Sequence, residues 1–150
     1  MELGSPEELA TRWVPFAHVS AYARALGLGA VDVSPAWCVA RLPYDERWVL
    51  DTSTGVMHGA VITGMLDTLF GFSINVKLGR LQPMVTVDLR VDHLKRPTPR
   101  RDLLGGAVCY SMTDEFAFVR GAAYHDSPED PVATGVGLFM FTDKAAGKPR

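Results

Sequence analysis

Between His58 and Val76 the chain runs for nineteen residues with one formal charge, Asp67. That length approaches the ~20 apolar residues that cross a bilayer, so a membrane span is the first reading to weigh. Three glycines (Gly59, Gly64, Gly71) and the polar Thr63, Thr68, Ser73 and Asn75 dilute the stretch, and it lacks flanking Trp or Tyr anchors. The expectation is a helix from Gly59 to about Leu78, buried inside a soluble protein. A helix apolar nearly all round must be wrapped by other structure. Ala60, Gly64, Thr68 and Gly71 recur at spacings of three and four, and this row of small residues is expected to let a sheet approach the helix backbone.

The remaining segments supply the wrapping. Val85, Val87, Leu89 and Val91 alternate with Thr86, Asp88, Arg90 and Asp92, the period of a strand. Leu103–Ser111, Phe116–Tyr124 and Val132–Phe141 read as further strands, separated by turn formers such as Asp114 and Asp126-Ser127-Pro128. Val31–Leu42 reads as one strand before the helix, and Asp45–Val56 as a loop. Ser5-Pro6-Glu7-Glu8 is a helix start, giving a short helix to about Trp13. Pro15 interrupts it, and a second runs from Phe16 to Leu26 before Gly27. The order predicts an α+β fold, one antiparallel sheet around a long central helix. All 150 residues form a single domain, with N-terminal helices over about 6–26 and a polar tail over about 143–150.

Composition narrows the partners. With 47% apolar and 21% charged residues the chain is an ordinary globular protein. A net charge of -2 favours neither nucleic acid nor an anionic membrane. The acidic N-terminus has no apolar leader segment, and Cys38 and Cys109 sit in apolar stretches. A cytoplasmic protein with two reduced core thiols is expected.

Three features could carry chemistry. Asp67 is the strongest: a carboxylate in an apolar helix is either satisfied by a structural hydrogen bond or ion pair, or kept as a base or nucleophile. His58-Gly59 stands where loop becomes helix. Helix-start N–H groups point outward with partial positive charge, and a glycine leaves them open to a carbonyl oxygen; a plain helix entry is the alternative. Arg90, Lys95, Arg96, Arg100 and Arg101 make a basic cluster around Pro97 and Pro99, which is either a solvated loop or a seat for a phosphate-rich ligand. His93 reads as a satisfied strand-end histidine. The Gly-x-Ser-x-Gly elbow, the phosphate-binding Gly-x-x-x-x-Gly-Lys loop, His-Glu-x-x-His and Cys-x-x-Cys are all missing from the sequence, so no metal or cofactor is expected.

Taken together, Gly55-Val56-Met57-His58-Gly59-Ala60 followed by Met65-Leu66-Asp67 resembles the hotdog-fold thioesterases related to the phenylacetate-pathway enzyme and the human medium-to-long-chain acyl-CoA thioesterases. That family shows Gly-x-x-His-Gly-Gly and then an Asp nine residues after the His, the spacing of His58 and Asp67 here. Val85-Thr86-Val87-Asp88-Leu89 and Arg96-Pro97 resemble its next strand and turn. The likeness runs from about Val31 to Phe141.

The resemblance implies a hotdog fold and hydrolysis of acyl-CoA to free acid and CoA. Asp67 would activate water or attack the thioester, the Gly59 N–H would polarise the carbonyl, His58 would shape the loop and Thr86 would help hold the water. Arg96, Arg100 and Arg101 would take the CoA phosphates. Gly59 and Asp67 lie eight residues apart, about 12 Å along a helix, so a homodimer sharing its sites is expected, and dimers could pair into tetramers. Two positions depart from the pattern: Ala60 replaces the second glycine, and Thr52 stands where the family often has Asn. Thr52 leaves room for a second reading, a hotdog protein that binds acyl-CoA or another acyl ligand without turnover. A hydratase on the same fold fits less well, because Asp51 and His58 are seven residues apart with the wrong residues between them.

Overall fold

The computed structural model describes Glu8 and residues 20–143. The first short helix, apart from Glu8, the start of the second and the tail beyond Asp143 lie outside the described residues. Helix α1 spans Ala21–Leu26. Ser20 caps it by accepting from the Ala23 N–H, and Gly27 ends it in the left-handed conformation at φ 69°.

The single strand expected over Val31–Leu42 is instead a hairpin, β1 (Gly29–Ser34) and β2 (Trp37–Leu42). Pro35 is the cause. It cannot donate to a ladder, and the Ser34 hydroxyl accepts from the Ala36 N–H at 3.2 Å to close the turn. A 3-10 turn, Glu46–Trp48, starts the next loop.

Helix α2 runs Gly59–Leu78, as expected. His58 caps its start, Gly79 at φ 67° ends it, and Lys77 in the last turn donates to the Cys109 carbonyl at 2.8 Å. Strands β3 (Met84–His93), β4 (Leu103–Met112), β5 (Phe116–Tyr124) and β6 (Ala133–Phe141) complete one antiparallel sheet in the order β1-β2-β4-β5-β6-β3. The sheet curls around α2. The helix is long and apolar enough to cross a membrane by length and composition, but its apolar surface is spent on this core: Ile62, Met65, Leu66, Leu69, Phe70 and Ile74 are all buried.

The row of small residues on α2 does not do what its spacing suggests. At Gly64 the neighbour is α1: a Cβ there would stand 2.0 Å from the Tyr22 hydroxyl. Gly71 faces the sheet, with Phe139 at 3.8 Å. Close approach comes from glycines on the strands. A Cβ at Gly121 would lie 2.6 Å from the Phe70 ring, and at Gly137, 2.9 Å. Gly105 admits Met65 and Leu69 in the same way. Phe70, the largest of the fully buried side chains, therefore sits against a cradle of strand glycines. Cys38 and Cys109 are both buried and free. Burial, reinforced by the charge of Asp32, pushes the Cys38 thiol up to about 12.

Candidate active site

The loop that delivers the chain into α2 is a tight hairpin. Val49 and Met57 form a bridge, Leu50 N–H donates to the Val56 carbonyl at 3.3 Å, and His58 N–H donates to the Trp48 carbonyl at 2.7 Å. At its tip the Asp51 carboxylate accepts from the Ser53 N–H at 2.8 Å, and its carbonyl accepts from the Thr54 and Gly55 N–H groups. Hydrogen bonds from Ser53, chiefly through its side chain, hold Asp51 below the usual carboxylate range. Thr52 is exposed on this tip.

His58 then caps the helix with its ring: Nδ1 accepts from the Ala60 N–H at 3.0 Å. The ring tautomer that suits this bond leaves Nδ1 free to accept and carries its hydrogen on Nε2. The Gly59 N–H beside it has no acceptor among the described residues. It points from the positive end of a twenty-residue helix and is suited to an oxygen that gains negative charge. The space over Gly59 is narrow for a reason invisible in the sequence. A Cβ at position 59 would meet the His93 ring at 3.2 Å. His93 is the strand-end residue of β3 and has a polar partner: it covers Gly59, and its Nε2 lies 3.4 Å from the Thr63 hydroxyl.

Asp67 is half-buried, less deep than a carboxylate in an apolar helix would suggest, because this face of α2 is left open beside β3. The Thr86 hydroxyl donates to its Oδ1 at 2.9 Å. Both readings of Asp67 survive: it has a hydrogen-bond partner, and it is reachable. Thr86 projects toward the helix because its register partner on β6 is the inward-facing Phe139. A bulge between Thr86 and Asp88 locally reorders the edge strand, as bulges near functional groups do.

The basic cluster divides. Arg90 pairs with Asp92 at 3.2 Å. Lys95, Arg96 and Arg101 line a cleft of about 180 Å³ together with Thr98, His125, Asp126 and Asp130. Lys95 pairs with Asp130 at 2.5 Å, and Arg101 pairs with Asp126; hydrogen bonding to Arg101 holds that carboxyl below its ordinary range. His125, which carried no sequence signal, shapes this cleft. Its Nε2 accepts from the Thr98 N–H at 2.9 Å, and its Nδ1 lies 2.8 Å from the Asp102 carbonyl. Arg100 does not line the cleft. Its guanidinium donates to the Thr52 carbonyl at 3.2 Å.

The thioesterase superfamily profile matches residues 54–132 of this chain. A protein from Pseudomonas aeruginosa of known structure is 34% identical, with a TM-score of 0.79 over 88% of this chain and 98% of its own. The PaaI protein of the E. coli phenylacetic acid degradation operon superposes with a TM-score of 0.76 over 93% of this chain and 97% of its own, at 16% identity. A thioesterase from Haemophilus influenzae gives 0.76 over 94% and 92%, also at 16%. The last two share the fold. Among curated proteins no match is found.

Proposed function

The chain belongs to the thioesterase superfamily and cleaves acyl thioesters, and from that premise we propose that its substrates are acyl-CoA esters, hydrolysed by Asp67 at sites shared between two copies of the chain. The observation that carries this reading is the reachable Asp67 carboxylate, oriented by Thr86 at 2.9 Å, on the same helix whose start presents the unengaged Gly59 N–H.

Asp67 takes a proton from water as the water oxygen bonds to the thioester carbon. The carbonyl oxygen becomes an oxyanion, held by the Gly59 N–H. When the C–S bond breaks, the thiolate leaves and Asp67 returns the proton to sulfur. The acid and the thiol are the products.

About 12 Å of helix separates Gly59 from Asp67, too far for both to act on one carbon from a single chain. Strand β3 is a sheet edge, with Val85 and Val87 45% and 52% exposed. Unpaired edges of this kind invite another strand. A second copy added there by a two-fold axis gives a self-complementary interface and sets its Asp67 against this chain's Gly59. Arg96 and Arg101, in the cleft with Lys95 and His125, would take CoA phosphates.

The test is a panel of acyl-CoAs scored for free thiol with purified protein, alongside its mass in solution. Turnover of at least one acyl-CoA by a dimer or tetramer supports the reading. Thr52, in place of the family's Asn, favours the alternative of an acyl-CoA-binding protein. Saturable binding with no thiol release across the panel would select it.

A further inference from the structure

The basic segment and the loop that enters α2 are joined by one side chain. Arg100 N–H donates to the Gly55 carbonyl at 2.9 Å. Its guanidinium donates to the Thr52 carbonyl at 3.2 Å. Its side chain lies so closely over Gly55 that a Cβ there would stand 2.7 Å from Cγ, 2.8 Å from Cζ and 2.9 Å from an Nη atom. Gly55 is buried, at φ 66°, in the left-handed region. Arg100 is itself at φ 54°, alone among the described non-glycine residues in having a positive φ. An arginine holds such a backbone only where its surroundings over-determine it, and the two hydrogen bonds and the seat over Gly55 do so.

We propose that Arg100 is a positioning residue, a strut that fixes the Asp51–Gly55 tip and through it the His58-Gly59 entry to α2, rather than a ligand for CoA phosphate. A series of backbone hydrogen bonds passes the constraint along. The tip is closed on Asp51, Leu50 N–H is bound to the Val56 carbonyl, and His58 N–H is bound to the Trp48 carbonyl. Arg96 and Arg101 face the neighbouring cleft from the same connection between β3 and β4. A ligand held by those two arginines would therefore be tied through Arg100 to the group that polarises the carbonyl. Binding energy from the non-reacting end of a substrate can be used at the reacting end in this way.

The experiment compares Arg100→Gly and Arg100→Lys with Arg101→Ala. Glycine suits the left-handed backbone and removes the strut; lysine keeps the positive charge but loses the planar fork. The kinetic arm rests on the thioesterase reading and uses one acyl group on CoA and on N-acetylcysteamine, which lacks the nucleotide. Both Arg100 variants should lose about 10-fold or more in kcat on both thioesters, the usual order of loss for small misplacements near a reacting group. Arg101→Ala should raise KM for the CoA ester alone. An Arg100→Gly effect confined to KM for the CoA ester, with Arg100→Lys near wild type, would make Arg100 a phosphate ligand and overturn the proposal. The second arm needs no substrate. Amide hydrogen exchange at Thr54, Gly55 and His58 should speed up at least 10-fold in Arg100→Gly while strand amides keep their protection. Unchanged exchange at those three amides refutes the strut, whether or not the chain turns over any thioester.

Discussion

Asp67 and Thr86 form a pair whose catalytic worth a double-mutant cycle can isolate. Asp67→Asn preserves shape and removes the base. Loss of a general base costs about 100-fold, or ~2.7 kcal/mol of barrier at 1.36 kcal/mol per decade. Thr86→Val keeps the branched shape on β3 but deletes the hydroxyl that donates to Asp67 Oδ1 at 2.9 Å. Hydrogen bonds to charged groups are worth ~1.5–3 kcal/mol. Thr86 is exposed and Asp67 half-buried in this chain, so the lower end applies, or about 10-fold in rate. If Thr86 works by orienting the carboxylate, it has little left to orient once Asp67 is Asn. The double variant should then fall less than about 3-fold below Asp67→Asn alone, the two losses failing to add because the groups share one interaction. The assay is thiol release from the best acyl-CoA at saturation, with circular dichroism confirming the fold. Asp67→Asn releasing thiol at near the wild-type rate sinks the assignment of the base. A double variant down about 1,000-fold, the product of the single losses, shows instead that Thr86 acts on its own, for example on water.

Four further outcomes are expected. Co-expressed His58→Ala and Asp67→Asn, each inactive alone, should regain up to about half of wild-type activity per hybrid dimer; hybrids as dead as their parents refute shared sites. Arg96→Ala and Arg101→Ala should raise KM for CoA esters and leave short thioesters unaffected, and equal losses on both would count against phosphate contact. Gly121→Ala should cost about 3 kcal/mol in urea unfolding, because its Cβ would stand 2.3 Å from the Gly106 carbonyl oxygen, a backbone atom; a midpoint near wild type contradicts the cradle. The Cys38 thiol is raised from an ordinary 9.0 to about 12, so between those values the unfolded chain binds fewer protons than the folded one. Its contribution to stability is full below pH 9 and is lost as pH rises toward 12, and Cys38→Ala should flatten that alkaline decline; an unchanged slope refutes it.

The helix was legible because its signal is long. Nineteen residues with one charge admit few structures, and Gly79 marks the end. The later strands were legible from alternation and turn residues. Val31–Leu42 reads as one strand because β-branched and aromatic residues lie on both sides of Pro35, whereas Pro35 with Ser34 makes the hairpin turn. The small-residue row suggests the sheet at Gly64, where α1 lies instead, because spacing shows which residues share a face but not what lies opposite. The signal for the cradle is Gly135 and Gly137, two apart and so on one face of a strand, with a Cβ at Gly135 also meeting the Phe70 ring, at 3.2 Å. The site was half legible. Asp67 stood out chemically, but its bond to Thr86, the seat of His93 over Gly59 and the turn of Arg100 toward Thr52 join residues 19 to 48 positions apart. No local pattern encodes such pairings.

The glycine cradle has a consequence for how a chain of this kind can change. Because the strands yield the space, the distance between α2 and the sheet is set by residues other than those that hold the carboxylate. Phe70 and Leu66 answer to the core, while Ala60, Thr63 and Asp67 answer to whatever lies against the opposite flank. One helix thus carries two sets of positions under separate demands. Substitutions at 60 or 63 can reshape what the site admits without disturbing what the sheet holds. A scaffold divided in this way can diverge in substrate while its architecture stays still.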